Sequence, residues 1–253
     1  MGQAAQVVKW AALAALALLG LPAPASAAPR LVIWAWERPE DLRFAPPQVE
    51  VAAQTGFVVL TGEGVFVRRR RFPLRTMRPP STALVHVQID HHRRLAWTPT
   101  QRAQAAAAVL QLAQAAGVRR VQVDFEVRQS ERRVLLDLLA DVRRGLPSGV
   151  GLSMTALASW CETEAWLNRA PVDEIVPMLF RMGPGGDALK VRLETGGDFA
   201  EPRCRTALAI STDAPLRRAP AGRRVYLFNP RSWTAADFEA ARRRVETWSS
   251  GGG

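Results

Sequence analysis

Eight short segments of the chain have the residue pattern of β-strands, with apolar side chains at alternate positions or in short runs. The clearest is Val121–Glu126, in which the polar residues Gln122, Asp124 and Glu126 alternate with apolar ones. Side chains alternate across a strand, so these three polar groups share one face. The predicted strands are Leu31–Trp36, Gly56–Leu60, Thr82–Asp90, Arg120–Glu126, Val150–Thr155, Asp173–Phe180, Arg205–Ser211 and Arg223–Phe228.

Helical patterns follow the third, fourth, fifth and eighth strands, at Gln101–Ala116, Ser130–Arg144, Glu162–Asn168 and Thr234–Trp248. The first connection leaves room only for a short helix at Gln48–Ala53, and Arg68–Pro80 is predicted to be a loop. Strands interspersed with helices over residues 28–250 predict an α/β fold, a single (β/α)8 TIM-like barrel whose second and sixth helices are short or missing. The alternative is an open, doubly wound sheet, although no GxGxxG turn follows the first strand.

The amino-terminal segment has the parts of a secretory signal. Lys9 precedes the apolar run Trp10–Leu21, and Ala25-Ser26-Ala27 fits the small-x-small pattern of a cleavage site. The apolar run is too short for a membrane-spanning helix. We therefore expect a signal peptide over residues 1–27 and a periplasmic or secreted mature protein without a transmembrane anchor, with an uncleaved anchor as the alternative. At the other end, Gly251–Gly253 is predicted to be a flexible tail.

Polar stripes run along three consecutive predicted strands. The third strand places His86, Gln88 and Asp90 on one face, and the fifth has Ser153 and Thr155 at matching positions. A barrel interior is normally filled by branched apolar side chains, and catalytic groups lie at the carboxyl ends of the strands. The stripes therefore predict a polar cleft at that end, with a solvated sheet edge as the alternative.

The two carboxylates of the fourth strand are the strongest catalytic candidates. Asp124 and Glu126 emerge on one face about 6.5 to 7 Å apart along the strand. Neighbouring like charges raise the pKa of one member, which suits a proton donor beside an ionised partner. We expect Glu126 to be the general acid/base and Asp124 its partner. Structural ion pairs with nearby arginines are the alternative, since Arg119, Arg120 and Arg128 lie close in sequence.

Aromatic and further acidic residues lie at other strand ends. Tryptophan rings at a barrel mouth can stack on sugars, although each ring could equally be part of the core. A second carboxylate near Glu126 would be expected for ordinary glycoside hydrolysis, and Glu37 and Asp213 are candidates for it. The predicted substrate-binding residues are Trp34, Trp36, Glu37, Gln88, Asp90, Gln122, Thr155, Trp160 and Asp213.

The chain is strongly basic, with a formal net charge of +11 and the run Arg68-Arg69-Arg70-Arg71. This charge fits either an acidic partner or simply solvated surfaces, and no nucleic-acid motif accompanies it. We expect the run to lie in an exposed loop that attracts anionic surfaces without reading bases. No metal or cofactor is expected, because the adjacent His91 and His92 point to opposite faces of a strand. A monomer is expected.

Two cysteines, Cys161 and Cys204, permit one disulfide in an oxidising compartment. Cys161 follows one predicted strand and Cys204 precedes another, which could place the two thiols at opposite ends of the barrel. The pairing is therefore left open.

Several segments resemble the bacterial family called domain of unknown function 3142, over about residues 31–229. The segments are Val121–Glu126, Leu152–Cys161, Val172–Gly183 and Ala209–Asp213. The resemblance implies a TIM barrel related to glycoside hydrolases, without a settled activity.

A more remote similarity is to family 18 chitinases, whose fourth strand carries Asp-x-x-Asp-x-Asp-x-Glu. This chain keeps Asp124 and Glu126 but has Gln122 and Arg119 at the other two positions. The Met-x-Tyr-Asp motif of that family corresponds to Met178-Leu179-Phe180-Arg181, which lacks the Tyr and the Asp. The similarity implies a glycoside-hydrolase-like protein acting on an envelope or extracellular polysaccharide. The missing residues favour the alternative, a carbohydrate-binding barrel without catalysis.

Overall fold

The structure of the chain, a computed structural model, describes residues 29–114, 117–163, 165–180, 182 and 185–250. The predicted signal peptide and the predicted tail lie outside the described residues. The described strands are β1 (Arg30–Ala35), β2 (Glu40–Asp41), β3 (Glu50–Thr61), β4 (Gly64–Arg69), β5 (Leu74–Arg75), β6 (Thr82–Ile89), β7 (Arg120–Asp124), β8 (Gly151–Leu157), β9 (Glu174–Met178), β10 (Ala207–Ser211) and β11 (Arg224–Phe228).

Eight of these strands form a closed parallel barrel. Its order is β1-β11-β10-β9-β8-β7-β6-β3, and the ring closes because β1 pairs with both β11 and β3. Each of the eight predicted strands overlaps one of the barrel strands, and the closure excludes the open-sheet alternative. An inner core fills the lumen with side chains from the strands alone, including Val32, Trp34, Leu84, Val176 and Tyr226.

The described residues form five α-helices that cover parts of the barrel: α1 (Pro99–Ala113), α2 (Arg132–Gly145), α3 (Trp160–Thr163), α4 (Gly186–Glu194) and α5 (Ala235–Ser250). The opposite faces of the strands and the apolar faces of the helices form an outer core. α1 begins where the Thr98 side chain accepts the N–H of Gln101, next to Pro99. None of the described helices has the length and apolar character needed to cross a bilayer.

Two predictions about the connections need correction. α4 follows β9, so the sixth helix is present, whereas no described helix follows β1, β3 or β10. The proposed helix Gln48–Ala53 is wrong, because residues from Glu50 onward belong to β3. There Val51 and Ala53 pack into the outer core and Ala52 into the inner core, an alternation that only a strand provides.

β3 is longer than its neighbours, and two strands, β1 and β4, pair with different parts of the same edge of β3. Residues 50–53 pair with β1, whereas residues 56–61 pair with β4, which returns antiparallel from a two-residue turn. Gly62 in that turn has φ of 50°, a left-handed conformation that glycine adopts without strain. The hairpin of β3 and β4 therefore rises above the end of β1 as a wall on one side of the lumen. Residues 68 and 69, predicted as loop, belong to this hairpin.

The switch between the two neighbours occurs at Gly56. The pairing of β3 with β6 shifts register between Gln54 and Gly56. A Cβ atom at Gly56 would lie 2.4 Å from the Arg68 carbonyl oxygen and 2.7 Å from a methyl carbon of Leu112 in α1. Only glycine allows β4 and α1 to approach this part of the strand so closely.

Arg70 stabilises the gap between β1 and the hairpin. Its Nη1 donates to the carbonyl oxygens of Ala35 at 3.0 Å and Gln54 at 3.3 Å. Nη2 donates to Arg38 O at 2.6 Å, and Nε donates to Phe72 O at 2.9 Å. One guanidinium thus satisfies four carbonyls where the sheet hydrogen bonds between neighbouring strands are interrupted.

The amino-terminal end of the barrel is closed by a cluster of charged side chains. Glu50, Arg120, Glu174 and Arg224 are each the first residue of a barrel strand. Arg224 binds Glu50 and lies 3.1 Å from Glu174, while Arg120 lies 3.7 Å from Glu174. Tyr226 donates to Glu174 at 2.6 Å, and burial together with the charge of Glu174 raises the pKa of this tyrosine. The arginines therefore compensate the buried Glu174 and the half-buried Glu50.

Cys161 and Cys204 form a disulfide, with Cα atoms 6.0 Å apart. Cys161 lies in α3, and Cys204 lies in a 3-10 turn, Pro202–Arg205, just before β10. Both side chains are in the outer core, because the chain after β8 turns onto the outside of the barrel instead of ending at its top. The backbone N–H of Glu201 donates to Cys161 O at 2.9 Å and holds the two segments together. This path removes the separation that the strand positions suggested.

We expect Arg70→Lys to lower the free energy of unfolding by about 2 kcal/mol or more, because an ammonium cannot reach four carbonyls in a fixed fork. Arg69→Lys, at the exposed neighbouring position, is the matched control and should stay within about 0.5 kcal/mol of wild type. Urea unfolding followed by far-UV circular dichroism measures both. Equal stability of the two variants would show that Arg70 does not stabilise the gap.

Candidate functional site

A hydrogen-bonded relay occupies the upper end of the lumen. The Thr155 hydroxyl on β8 donates to Asp124 Oδ1 at 2.6 Å, and His86 Nδ1 on β6 lies 2.6 Å from Asp124 Oδ2. The carboxylate can only accept, so the imidazole carries a proton on Nδ1. Asp124 ends β7 directly opposite His86 in the register, and its side chain is buried. The predicted alternation of β6, β7 and β8 is therefore present, and it joins three strands through one carboxylate.

The surroundings of His86 shift its protonation. Burial of the ring, the largest single influence, lowers the pKa, but the hydrogen bond and charge of Asp124 act against it. A hydrogen bond with Gln88 and the charge of Glu126 act in the same direction as Asp124, and the pKa of His86 is raised. His86 is about one quarter exposed, so the relay reaches solvent through this ring. A partly exposed imidazole fixed by a carboxylate is suited to proton transfer.

Glu126 lies two residues beyond Asp124, just after the end of β7, and its side chain is exposed. Its charge acts on His86, so the carboxyl group lies in the same electrostatic environment as the relay. The two predicted catalytic carboxylates therefore differ in kind. Asp124 is buried and engaged by two hydrogen-bond partners, whereas Glu126 faces the solvent at the mouth.

Aromatic rings surround the relay. The ring centroids of Phe57 and Trp36 lie 5.4 and 6.3 Å from that of His86. Trp36 also contacts Phe228 edge-on, and Phe228 stacks on Phe180 with centroids 5.1 Å apart. The buried indole N–H of Trp36 has no hydrogen-bond partner among the described residues. Buried donors without a partner are rare in proteins, which makes this N–H a candidate contact for a bound molecule.

Two of the predicted sugar-binding tryptophans are buried and need correction. Trp34 is completely buried in the lumen, where it donates to Gln122 Oε1 at 2.7 Å and packs on Tyr226. Trp160 is buried in the outer core against Trp166, with ring centroids 5.2 Å apart. Neither ring has a free face for a sugar. Gln122 likewise acts inside the lumen, as the partner of Trp34, and does not reach the mouth.

Glu37 follows β1 and is held by the hairpin. It accepts from the backbone N–H of Arg71 at 2.8 Å and lies 3.3 Å from the Arg68 guanidinium. Its own N–H donates to Gln54 Oε1 at 2.9 Å. The carboxylate is therefore committed to the wall of the lumen, although its second oxygen is buried and lacks a hydrogen-bond partner among the described residues.

The other two candidate carboxylates, Asp90 and Asp213, form hydrogen bonds with residues outside the relay. Asp90 accepts from the backbone N–H of His92 at 3.0 Å and from Thr61 at 3.1 Å, and these bonds lower the pKa of Asp90. Asp213 accepts a hydrogen bond from Ser211 two residues earlier, and its side chain is exposed. The structure gives neither residue a contact with the relay. A two-carboxylate site of the ordinary kind is therefore not assembled from these candidates.

His86 is the main functional candidate missing from the predicted site. It shares the strand face of Gln88, so its position was foreseen, but its pairing with Asp124 depends on the register between strands. Phe57, Phe180 and Phe228 were also missed, although Phe180 and Phe228 end predicted strands and Phe57 lies within one. Arg181, aligned with the Asp of the chitinase motif, lies outside the described residues.

No family model, curated protein or solved structure matches the chain. The resemblances noted in the sequence therefore stay predictions. Among the described residues, no group of three or more His, Cys, Asp or Glu side chains is arranged to hold a metal ion. His91 instead lies 2.7 Å from Glu131.

We expect Asp124→Asn to lower the pKa of His86, measured from the pH dependence of its ring resonances. The raised folded-state pKa has a consequence for stability. The contribution of protonated His86 to the free energy of unfolding is fully present below the unfolded-state pKa of about 6.5. It is lost as the pH rises through the folded-state pKa. Asp124→Asn should therefore flatten this part of the stability profile, whereas Asp213→Asn should not. A wild-type His86 that titrates at or below the ordinary value would contradict the relay.

Proposed function

We propose that this protein is a secreted or periplasmic TIM-type barrel that cleaves a glycosidic bond in an envelope or extracellular polysaccharide. The observation that carries the proposal is the relay of Thr155, Asp124 and His86 at the carboxyl end of the barrel strands, beside the exposed Glu126. Proton-transfer groups at this end of a barrel, within a rim of aromatic rings, suit chemistry on a bound sugar.

The chemical roles follow from the surroundings of each group. Glu126 would donate a proton to the glycosidic oxygen, because its exposed carboxyl group lies two residues beyond Asp124 and its charge acts on His86. His86 would accept a proton from the attacking water at its second ring nitrogen, because Asp124 engages Nδ1–H, and this water would replace Gln88 as a hydrogen-bond partner of the ring. Thr155 and Asp124 would act as positioning residues. Such a pair replaces the second carboxylate of ordinary glycoside hydrolysis with an imidazole.

A second candidate function is carbohydrate binding without catalysis. It is favoured by the commitment of Glu37, Asp90 and Asp213 to other partners, which leaves no assembled carboxylate pair. In that case the aromatic rim would bind the sugar, and the relay would fix the shape of the rim. The two functions differ in turnover and not in binding.

We expect Glu126→Gln to reduce turnover about a hundredfold to ten-thousandfold while binding is retained, because the amide cannot donate a proton to the leaving group. The assay is release of reducing ends from a panel of bacterial polysaccharides, with binding measured by calorimetry. Asp213→Asn is the control at another strand end and should keep turnover within about twofold of wild type.

The remaining outcomes separate the two functions. Binding without turnover by the wild-type protein supports the binding function. Full turnover by Glu126→Gln removes Glu126 from the chemistry. Neither binding nor turnover across the panel rejects both functions.

A further inference from the structure

We propose that the substrate is an acidic polysaccharide and that a groove beside the mouth binds one of its uronic acid units. The proposal rests on the proposed function, because it names the substrate class of that site. The groove, called here the hairpin groove, has a volume of about 320 Å³. It is lined by Phe57, Val59, Phe66, Val67, Arg68 and Gln88.

The sheet register explains how the hairpin groove forms. Phe57 and Val59 on β3 are directly opposite Arg68 and Phe66 on β4, so the four side chains share a face. Gln88 on β6 is opposite Val59 on the other side of β3. Apolar side chains thus make the floor, while an amide and a guanidinium lie on its two sides. The Phe66 ring is 63% exposed, so it presents an apolar face to a ligand in the groove.

Arg68 has hydrogen-bonding capacity left over. Its guanidinium carbon lies 4.0 Å from the centre of the Phe57 ring, and Nη1 lies 3.3 Å from Glu37. The structure gives this guanidinium no hydrogen bond within the described residues, and its side chain is 40% exposed. Arg38, also near the mouth, differs because all its donor nitrogens are used, by Glu40 and by two backbone carbonyls.

These features match the chemistry of a uronic acid. A guanidinium binds a carboxylate through two parallel hydrogen bonds, and the aromatic floor can stack on the apolar face of a pyranose ring. The exposed amide of Gln88, which also hydrogen-bonds with His86, can use its remaining hydrogen-bonding capacity for sugar hydroxyls. Arg69 and Arg71 are exposed beside the groove, and the basic chain attracts a polyanion from solution. A neutral sugar would offer no carboxylate to the N–H donors of Arg68, which form no hydrogen bond within the described residues.

The hairpin groove is continuous with the relay. Phe57 lines the groove and also contacts His86 at a centroid distance of 5.4 Å. A sugar unit in the groove would therefore direct the adjoining unit of the same chain toward His86 and Glu126. The acidic unit would be recognised next to the bond that is cleaved.

The test compares oligomers of galacturonic acid, mannuronic acid and hyaluronan with methyl-esterified oligomers of the same length. Binding is measured by calorimetry, and turnover by release of reducing ends. Arg68→Gln should weaken binding of the acid form about tenfold or more, with little effect on the ester, because a hydrogen bond between charged groups is lost. Arg68→Lys should give an intermediate loss, since it keeps the charge without the fork.

Arg69→Gln is the matched control, because the adjacent side chain lies on the opposite face of β4 and is exposed. It should weaken binding of the acid form far less than Arg68→Gln. Circular dichroism and unfolding confirm that both variants are folded.

The results separate the proposal of an acidic substrate from the proposed function. Equal affinity for acid and ester, or equal losses in Arg68→Gln and Arg69→Gln, would overturn the acidic-substrate proposal and leave the proposed function standing. Failure of every acidic oligomer to bind would also overturn it, even if neutral glycans are cleaved. Selective binding of an acidic oligomer that is not cleaved would support the groove and reject the catalytic role of Glu126.

Discussion

The way in which β3 shares one edge between β1 and β4 is the constraint on which the upper half of the molecule depends. A parallel barrel needs β1 beside β3 to close, but β1 ends at Ala35 while β3 continues to Thr61. The exposed edge is covered by its own hairpin, and Arg70 satisfies the carbonyls at the branch. Because of this arrangement, the lumen opens toward a wall that carries Phe57 and Arg68.

The barrel interior changes in character along its axis. Ion pairs close the amino-terminal end, large apolar rings fill the middle, and the relay lies at the carboxyl end. The buried charges described in the lumen have partners on other strands, so they link neighbouring strands at Asp124 and alternate strands in the amino-terminal cluster. Asp124 is the clearest case, since it binds β6 and β8 simultaneously through His86 and Thr155. The same contacts that align the strands raise the pKa of His86.

Much of the barrel could be predicted from the sequence because strand alternation is a local property. The period of two was enough to assign the lumen faces of β6, β7 and β8. The hairpin could not be predicted in the same way, since Val65, Phe66 and Val67 in β4 form a short apolar run without alternation and four arginines follow it. The partner of Asp124 and the disulfide depend on register and on the path of the chain outside the barrel. Those are long-range properties that no local pattern contains.

The cluster of charged side chains at the amino-terminal end of the barrel also limits how a long ligand can enter. The barrel axis is closed at its amino-terminal end by Glu174, Arg224 and Tyr226. The completely buried Trp34 side chain occupies the lumen above them. A polymer cannot thread through such a barrel. A long polymer would have to lie across the mouth with both of its ends in solvent. An internal stretch of the polymer could then be bound as well as a terminus.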